Sequence, residues 1–392
     1  MDDLRQNRVN HGLDELELSR YHRQIILPEI GYEGQKKLKL ARVLIVGVGG
    51  LGSPASLYLA AAGVGKIGLV DFDVVEKTNL HRQILFNESA VGERKIDAAG
   101  NRLKSLNPHI TVMGYDTKLT AENAMGIIGD YDIVLDGTDN FYTRYLINDA
   151  CVLLGKPNVF GSIFRFDGQV SVFNMNGGPC YRCLYPEPPG AGQIPSCAEA
   201  GVLGVLPGII GSIQAVEAIK TITGVGETLS GRFLVISART MRFSDFKIVR
   251  NEDCAVCGKK PVITSLDNYE NHCAAPEDAA VVKSAEGFEE ITVEELKERF
   301  DRNEIPVILD IREPYEVRFA PFPNAVHIAT NELPGRLGEL PEDKEIVVVC
   351  KLGVRSGMVC EYLKNHNFQH AKNLVGGVQA WTLHIDPAVP LY

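Results

Sequence analysis

Short apolar runs alternate with stretches of helical spacing through the first 250 residues, the rhythm of an open, mostly parallel α/β sheet. Ala41 to Gly47 (ARVLIVG) predicts a buried strand, Leu51 to Ala62 a helix, and Lys66 to Asp71 (KIGLVD) the next strand. Ile110 to Tyr115 and Tyr131 to Asp136 (YDIVLD) continue the series. Phe160 to Asn174 differs: Asp167-Gly168 sits between alternating segments, which predicts a hairpin turn there and a sheet that becomes mixed. After Cys257 the pattern fades. Lys259 to Gly287 is polar, rich in Ala, Glu and Asp, and has the composition of a linker. A helix near Val293 to Phe300, then strands at Val307 to Ile311 (VILDI) and Ile346 to Cys350 (IVVVC), open a second, smaller α/β unit. The expected organisation is a domain over 1–258, a linker over 259–287 and a domain over 288–392, which suits a chain too long for one core.

Composition narrows the function classes. Apolar residues make up 45% and charged residues 23%, which excludes a disordered or collagen-like chain. The net charge of −10 argues against a generic nucleic-acid or anionic-membrane binder, so neither is expected as a partner. The longest apolar stretch, Gly201 to Ile213, is broken by glycines and a proline, and no run is long enough to span a membrane. The polar, acidic N-terminal stretch predicts no secretory signal and a cytoplasmic location.

Nine cysteines in a long chain make a poor disulfide scaffold. Four fall in two C-x-x-C pairs, Cys180/Cys183 and Cys254/Cys257. Two such knuckles can supply the four thiolates of a closed tetrahedral Zn²⁺ site, structural because no position stays open. A redox role is weaker, because neither pair lies at an evident strand–helix junction.

Gly47, Gly49 and Gly52 fit G-x-G-x-x-G between the first strand and its helix, where backbone N–H groups approach phosphate. Asp71 comes nineteen residues after Gly52, placed to bind ribose hydroxyls. Those features alone favour a nicotinamide-dependent oxidoreductase. The next segments of the chain do not suit one: Thr78-Asn79-Leu80-His81-Arg82-Gln83 and Lys95 gather polar and cationic groups, and Asp136-Gly137-Thr138-Asp139-Asn140 ends another strand. Cations with a carboxylate suit a triphosphate carrying Mg²⁺.

GVGGLGSP, DFD, NLHRQ, Lys95 and DGTDN together resemble the ubiquitin-activating-type adenylyltransferases of the MoeB/ThiF family, over roughly residues 15 to 257. The resemblance implies a doubly wound, Rossmann-like sheet that binds ATP–Mg²⁺, dimerises, and adenylates the C-terminal Gly-Gly carboxylate of a ubiquitin-like sulfur carrier. It places Gly50 in the phosphate loop and Asp71 on the ribose. It sets Asn79, Arg82 and Lys95 on the phosphates, with Thr78, Leu80 and His81 in the same segment, and Asp139 on Mg²⁺ with Asn140 beside it. It also implies zinc at the four cysteines. Arg23, in RYHRQI, resembles the arginine that family dimers insert into the partner's ATP site; a surface arginine on the first helix is the equal alternative.

The other cysteines divide by context. Cys151 and Cys360 fall in helical patterns and read as small core hydrophobes, and Cys273 has no positive role. Cys197 (IPSCAE) lies just beyond a Pro/Gly-rich loop, where an exposed thiol is a plausible nucleophile; the family carries a cysteine in a mobile crossover loop near this position. Cys350 is the best nucleophile of the chain. It ends a strand and begins the loop CKLGVRS before a helix, where inward backbone N–H groups, the helix dipole and Arg355 would all favour a thiolate.

LDIREPYE (Leu309 to Glu316), CKLGVRS (Cys350 to Ser356) and GGVQAW (Gly376 to Trp381) resemble a rhodanese sulfurtransferase, with Phe322 to Ala325 departing from the usual supporting segment. A Cys-loop phosphatase is the runner-up, but Arg355 comes one residue early for its C-x5-R loop. The joined reading resembles MoeB/ThiF–rhodanese fusions, the MoeZ-type sulfurtransferases. A carrier adenylate would receive sulfur from a Cys350 persulfide charged by a donor such as a cysteine desulfurase or thiosulfate. A thiocarboxylate for molybdopterin or related synthesis would result, with Cys197 forming a carrier thioester or resolving an acyl disulfide. A nicotinamide oxidoreductase, a tRNA-modifying dehydratase and a non-catalytic docking scaffold are the alternatives.

Overall fold

Strands rich in Val, Ile and Leu, buried on both faces, build the central sheet of the first unit. In the computed structural model, residues 12–189, 201–266 and 288–391 are described. The chain divides into two compact units, 1–275 and 276–392. In the first, β1 (Arg42–Val46), β2 (Lys66–Val70), β3 (Thr111–Tyr115), β4 (Ile133–Asp136) and β5 (Asn158–Phe164) pair in parallel. Three more strands, β6 (Asp167–Phe173), β7 (Arg232–Ser237) and β8 (Arg242–Lys247), extend it antiparallel. The order β3-β2-β1-β4-β5-β6-β7-β8 reverses direction between β1 and β4, the switch point at which open sheets bind ligands.

Helices cover both faces. On one, α2 (Gly31–Leu40), α3 (Gly52–Ala62), α4 (Lys95–Leu106) and α8 (Leu206–Thr223) bury Leu38, Leu59, Leu103 and Ile210. On the other, α5 (Ala121–Gly129) and α6 (Phe141–Leu153) bury Ile128, Leu146 and Ala150. Among the described residues, the unit's other α-helices are α1 (Glu15–Ile25) and the single turn α7 (Tyr181–Leu184). A capping box between Asp14 and Glu17 starts α1. The doubly wound, mostly parallel class expected from the alternating pattern is the one observed.

The hairpin turn lies elsewhere than expected. Phe164 pairs with Asp167, so Arg165 and Phe166 form the two-residue loop, with Arg165 at φ 55°. Asp167 and Gly168 belong to β6. A Cβ on Gly168 would lie 2.3 Å from Ile210 Cδ1, so the glycine serves close approach of α8 to the sheet, and the turn falls two residues earlier.

Lys259 to Leu266, expected in the linker, turn back on the first unit. Val262 and Ile263 donate to the Ala255 carbonyl at 2.8 and 2.9 Å, and Leu266 is buried in the α5–α6 core. The rest of the expected linker, with Cys273, lies outside the described residues.

The second unit holds a wholly parallel five-stranded sheet, β11-β10-β12-β13-β9. Its strands are β9 (Glu289–Ile291), β10 (Val307–Asp310), β11 (Ala325–His327), β12 (Ile346–Val349) and β13 (Ala371–Leu374). Its helices are α9 (Val293–Asp301), α10 (Pro314–Phe319), α11 (Leu333–Arg336), α12 (Val354–Lys364) and α13 (Gly377–His384). Cys360 and Leu363 of α12 fill one core, Leu296 of α9 and Trp381 of α13 the other. Among the described residues no helix is long and apolar enough to cross a membrane.

Candidate functional sites

The glycine loop joins β1 to α3 at the switch point, and the turn after β4 lies against it. Gly47, at φ 86°, comes so close to that turn that a Cβ would sit 2.8 Å from the Gly137 carbonyl oxygen. Gly52 packs tighter still, its Cβ position 2.1 Å from the Gly47 oxygen. Gly50 faces Pro207 at the start of α8, and the Arg82 Cδ lies 3.9 Å from its Cβ position, which sets the arginine stem over the loop. The Arg82 guanidinium donates to the Thr78 carbonyl at 3.0 Å, as His81 Nδ1 contacts the same oxygen at 3.0 Å. Buried Asn79 accepts from the Glu76 N–H at 3.2 Å and so holds the turn that carries Thr78, Leu80, His81 and Arg82.

Asp71 leaves the end of β2 and accepts from the Val48 N–H at 2.8 Å and the Asp73 N–H at 3.0 Å. Burial pushes its carboxyl above the usual range, against the pull of the Lys95 charge. Lys95 opens α4, is buried, and pairs with the more exposed Asp73 at 2.8 Å. Ribose and phosphate candidates therefore share one wall of the loop.

Asp139 is exposed at the tip of the β4–α6 turn, and Asn140 is the N-cap of α6, accepting from the Thr143 N–H at 2.9 Å. Beneath them lies a polar platform that the sequence pattern did not reveal. Asp136 is wholly buried and accepts from the Thr138 N–H (3.0 Å) and Oγ1 (2.6 Å). Buried Arg144 donates to the Thr138 carbonyl at 3.1 Å, and its Nε lies 3.6 Å from the Asp136 carboxylate. The site thus brings a tightly packed glycine loop, the buried carboxylate of Asp71 and the exposed carboxylate of Asp139 to the switch point, a set that could hold a nucleotide and a hard cation. Arg23 sits apart, exposed in the last turn of α1.

Cys180, Cys183, Cys254 and Cys257 converge, all four sulfurs within 4.8 Å of one another. Close pairs measure 3.8 Å (Cys180–Cys183), 3.5 Å (Cys180–Cys254) and 3.3 Å (Cys183–Cys257). A zinc tetrahedron with Zn–S bonds of ~2.3 Å has edges of about 3.8 Å, so the donor set fits that metal in kind and size. The knuckle is fastened to α6. Arg182 forks onto buried Asp149 at 2.8 to 3.0 Å, and the Tyr181 N–H donates to Asn148 Oδ1 at 2.7 Å.

In the second unit, Cys350 comes directly after β12 and is buried. The Gly353 N–H points at its Sγ from 3.1 Å and Ser356 Oγ from 3.2 Å. Gly353 takes φ 89° as the N-cap of α12, so the loop curls back over the sulfur. Arg355, expected to support the thiolate, is forked onto the Glu316 carboxylate at 3.0 and 2.9 Å. That carboxylate lies far away in sequence. Cys151 and Cys360 are wholly buried; burial pushes the Cys151 thiol up, and the Cys360 thiol up to about 12. Cys197 lies outside the described residues.

Comparison with known proteins matches residues 21–256 to the ThiF family and residues 292–384 to the rhodanese-like domain. The chain is 43% identical to "Adenylyltransferase and sulfurtransferase MOCS3" of Culex quinquefasciatus, covering 97% of this chain and 90% of that one. It is 44% identical to "Probable adenylyltransferase/sulfurtransferase MoeZ" of Mycobacterium tuberculosis, covering 97% of each. Among solved structures, E. coli MccB with MccA-N7isoASN aligns at TM-score 0.56 and 25% identity, over 61% of this chain and 75% of that one.

Proposed function

The chain belongs to the ThiF family and carries a rhodanese-like domain, and from that premise we infer an adenylyltransferase and sulfurtransferase that activates a sulfur-carrier protein and delivers sulfur to it. The observation that carries the reading is the pairing, in one chain, of a glycine loop ringed by Asp71, Arg82 and Lys95 with a loop cysteine whose sulfur receives the Gly353 N–H and touches the Ser356 hydroxyl.

ATP is the first substrate. The loop N–H groups and Asn79, Arg82 and Lys95 hold its phosphates, Gly50 leaves room for them, and Asp71 binds the ribose. Thr78, Leu80 and His81 shape the same wall. Lys95 exchanges its Asp73 partner for phosphate oxygen. The carrier's terminal Gly-Gly carboxylate attacks the α-phosphorus and pyrophosphate leaves. Mg²⁺, held by Asp139 beside Asn140, would neutralise phosphate charge. Arg23 acts on the partner's site in a homodimer. Zn²⁺ in the four-thiolate knuckle would tie the chain after β8 to α6 and take no part in chemistry.

At Cys350, a sulfane-sulfur donor such as a cysteine desulfurase leaves one sulfur atom, giving a persulfide. Its terminal sulfur attacks the carrier acyl-adenylate and AMP departs with the electron pair. Attack by the Cys197 thiol on the internal sulfur of the acyl disulfide then releases the thiocarboxylate and leaves a Cys197–Cys350 disulfide. The alternative order has Cys197 take the acyl group first as a thioester. Carrier-dependent ATP–pyrophosphate exchange, run across small proteins ending in Gly-Gly, tests the reading: no exchange with any of them would refute it. Molybdopterin synthesis is the pathway class of the product, and the site lies in the cytoplasm on this reading.

A further inference from the structure

Glu316 is the third residue of α10, with its side chain only 5% exposed, and three N–H groups converge on its carboxylate. The Glu313 N–H donates to Oε2 at 2.8 Å; Arg355 donates through Nη1 to Oε2 at 3.0 Å and through Nη2 to Oε1 at 2.9 Å. A capping box fixes the acceptor, so the fork of Arg355 is held against a carboxylate that cannot swing away. The same charge reaches the other cation of the loop. Burial pushes the Lys351 ammonium down and Glu316 pushes it back up. Around Cys350 Sγ the observed polar contacts are neutral, the Gly353 N–H and the Ser356 hydroxyl, whose proton is shared with Asn373 Oδ1 at 2.6 Å.

A guanidinium fork that grips two carboxylate oxygens is the same fork that would grip two sulfonate oxygens. Here it is taken. We propose that Glu316 determines donor specificity at the sulfur-transfer site: by occupying Arg355 it turns away small oxyanionic donors such as thiosulfate and leaves Cys350 to protein persulfides. The proposal rests on the sulfur-transfer reading of Cys350. With thiosulfate, the Cys350 thiolate attacks the outer sulfur, the S–S bond breaks, and sulfite leaves with the electron pair. The dianion must approach a site whose loop arginine is already neutralised by a carboxylate. With a protein persulfide, the thiolate attacks the terminal sulfur and a cysteine thiolate leaves, so there is no oxyanion to hold.

The test uses the full-length protein, with thiosulfate and cyanide as one substrate pair and a cysteine desulfurase with cysteine as the other donor. Glu316→Gln keeps an oxygen for the Glu313 N–H and removes the charge. The KM for thiosulfate should fall about tenfold or more, the effect of one charge-assisted pair. Loading of Cys350 by the desulfurase, read by intact mass, should change less than twofold. Glu316→Met, a second neutral side chain, must reproduce the fall. Adding Arg355→Met to Glu316→Gln must restore the high KM, which a merely structural role of Glu316 would not produce. An unchanged thiosulfate KM in both neutral variants, with desulfurase loading intact, overturns the proposal. A wild-type protein that accepts sulfur on Cys350 from neither donor overturns the sulfur-transfer reading itself, and the proposal with it.

Discussion

Gly52→Ala isolates what the glycine loop does. Its new Cβ would stand 2.1 Å from the Gly47 carbonyl oxygen and 3.3 Å from Ile45 Cγ2. The first neighbour is backbone, so no side chain can rotate away; the loop must open by roughly 1 Å to reach a tolerable contact. Overpacking of this kind costs about 1–3 kcal/mol of stability. The larger effect should fall on catalysis, because on the proposed reading the displaced backbone carries the N–H groups that would meet phosphate, and a ~1 Å misplacement can cost about 100-fold in rate. Gly100→Ala is the matched control. It lies inside α4, nothing lies within 4 Å of its Cβ position, and relief of helix-interior glycine should stabilise the fold by about 0.5–1 kcal/mol. Both variants are measured by carrier-dependent ATP–pyrophosphate exchange and by calorimetric melting, with persulfide loading at Cys350 as a check on the second unit. Exchange by Gly52→Ala above a third of the wild-type rate, or an equal loss in Gly100→Ala, would show that the tight carbonyl contact does not hold the loop in its working shape.

The same geometry sets further outcomes. Asp139→Ala should abolish exchange while Cys350 still loads, and Arg82→Ala should lose at least tenfold, from a phosphate contact of about 1.5–3 kcal/mol; full exchange in either removes that residue from the ATP site. Protein prepared without chelator should hold about one zinc per chain, lost with stability in Cys257→Ser; metal analysis finding none rejects the four-thiolate site. Iodoacetamide on native protein at about pH 8 should spare Cys151 and Cys360, which are wholly buried and hard to ionise, and peptide mapping that finds either alkylated refutes their core assignment. Cys350→Ala should stop sulfur transfer and leave exchange intact. Cys197→Ala should block completion of the thiocarboxylate, and wild-type yield from it without added reductant would reduce Cys197 to a bystander.

Where the sequence was informative, local chemistry and tertiary need agreed. The strand–glycine–helix punctuation of β1 and α3 was legible because phosphate loops demand small residues at fixed spacing, and the four cysteines because metal knuckles keep their ligands three residues apart. Asp167-Gly168 misled for a physical reason. Asp-Gly is a turn signal only if the glycine is needed for its backbone angle, and here it is needed for its missing side chain, against Ile210. Composition likewise marked Lys259 to Leu266 as linker, since Leu266 alone gives little hint that the segment packs back on α5 and α6.

The residues that sequence reasoning missed share one property: each acts through a partner that only the fold brings near. Arg144 reads as an ordinary helix arginine until α6 is laid against β4, when it becomes the prop beneath Thr138 and hence beneath Asp139. Arg355 looked like an aid to the Cys350 thiolate because both lie in one short loop. Sequence neighbours fix how far a charge can reach, but not which way it points. Glu316, 39 positions away and fastened by its own helix cap, decides the direction. A motif therefore locates the reacting atom, whereas the charge around that atom is set by side chains from other elements. The proposed donor choice at Cys350 draws on the second kind of information, since it is argued from the Glu316–Arg355 geometry and not from the CKLGVRS loop alone.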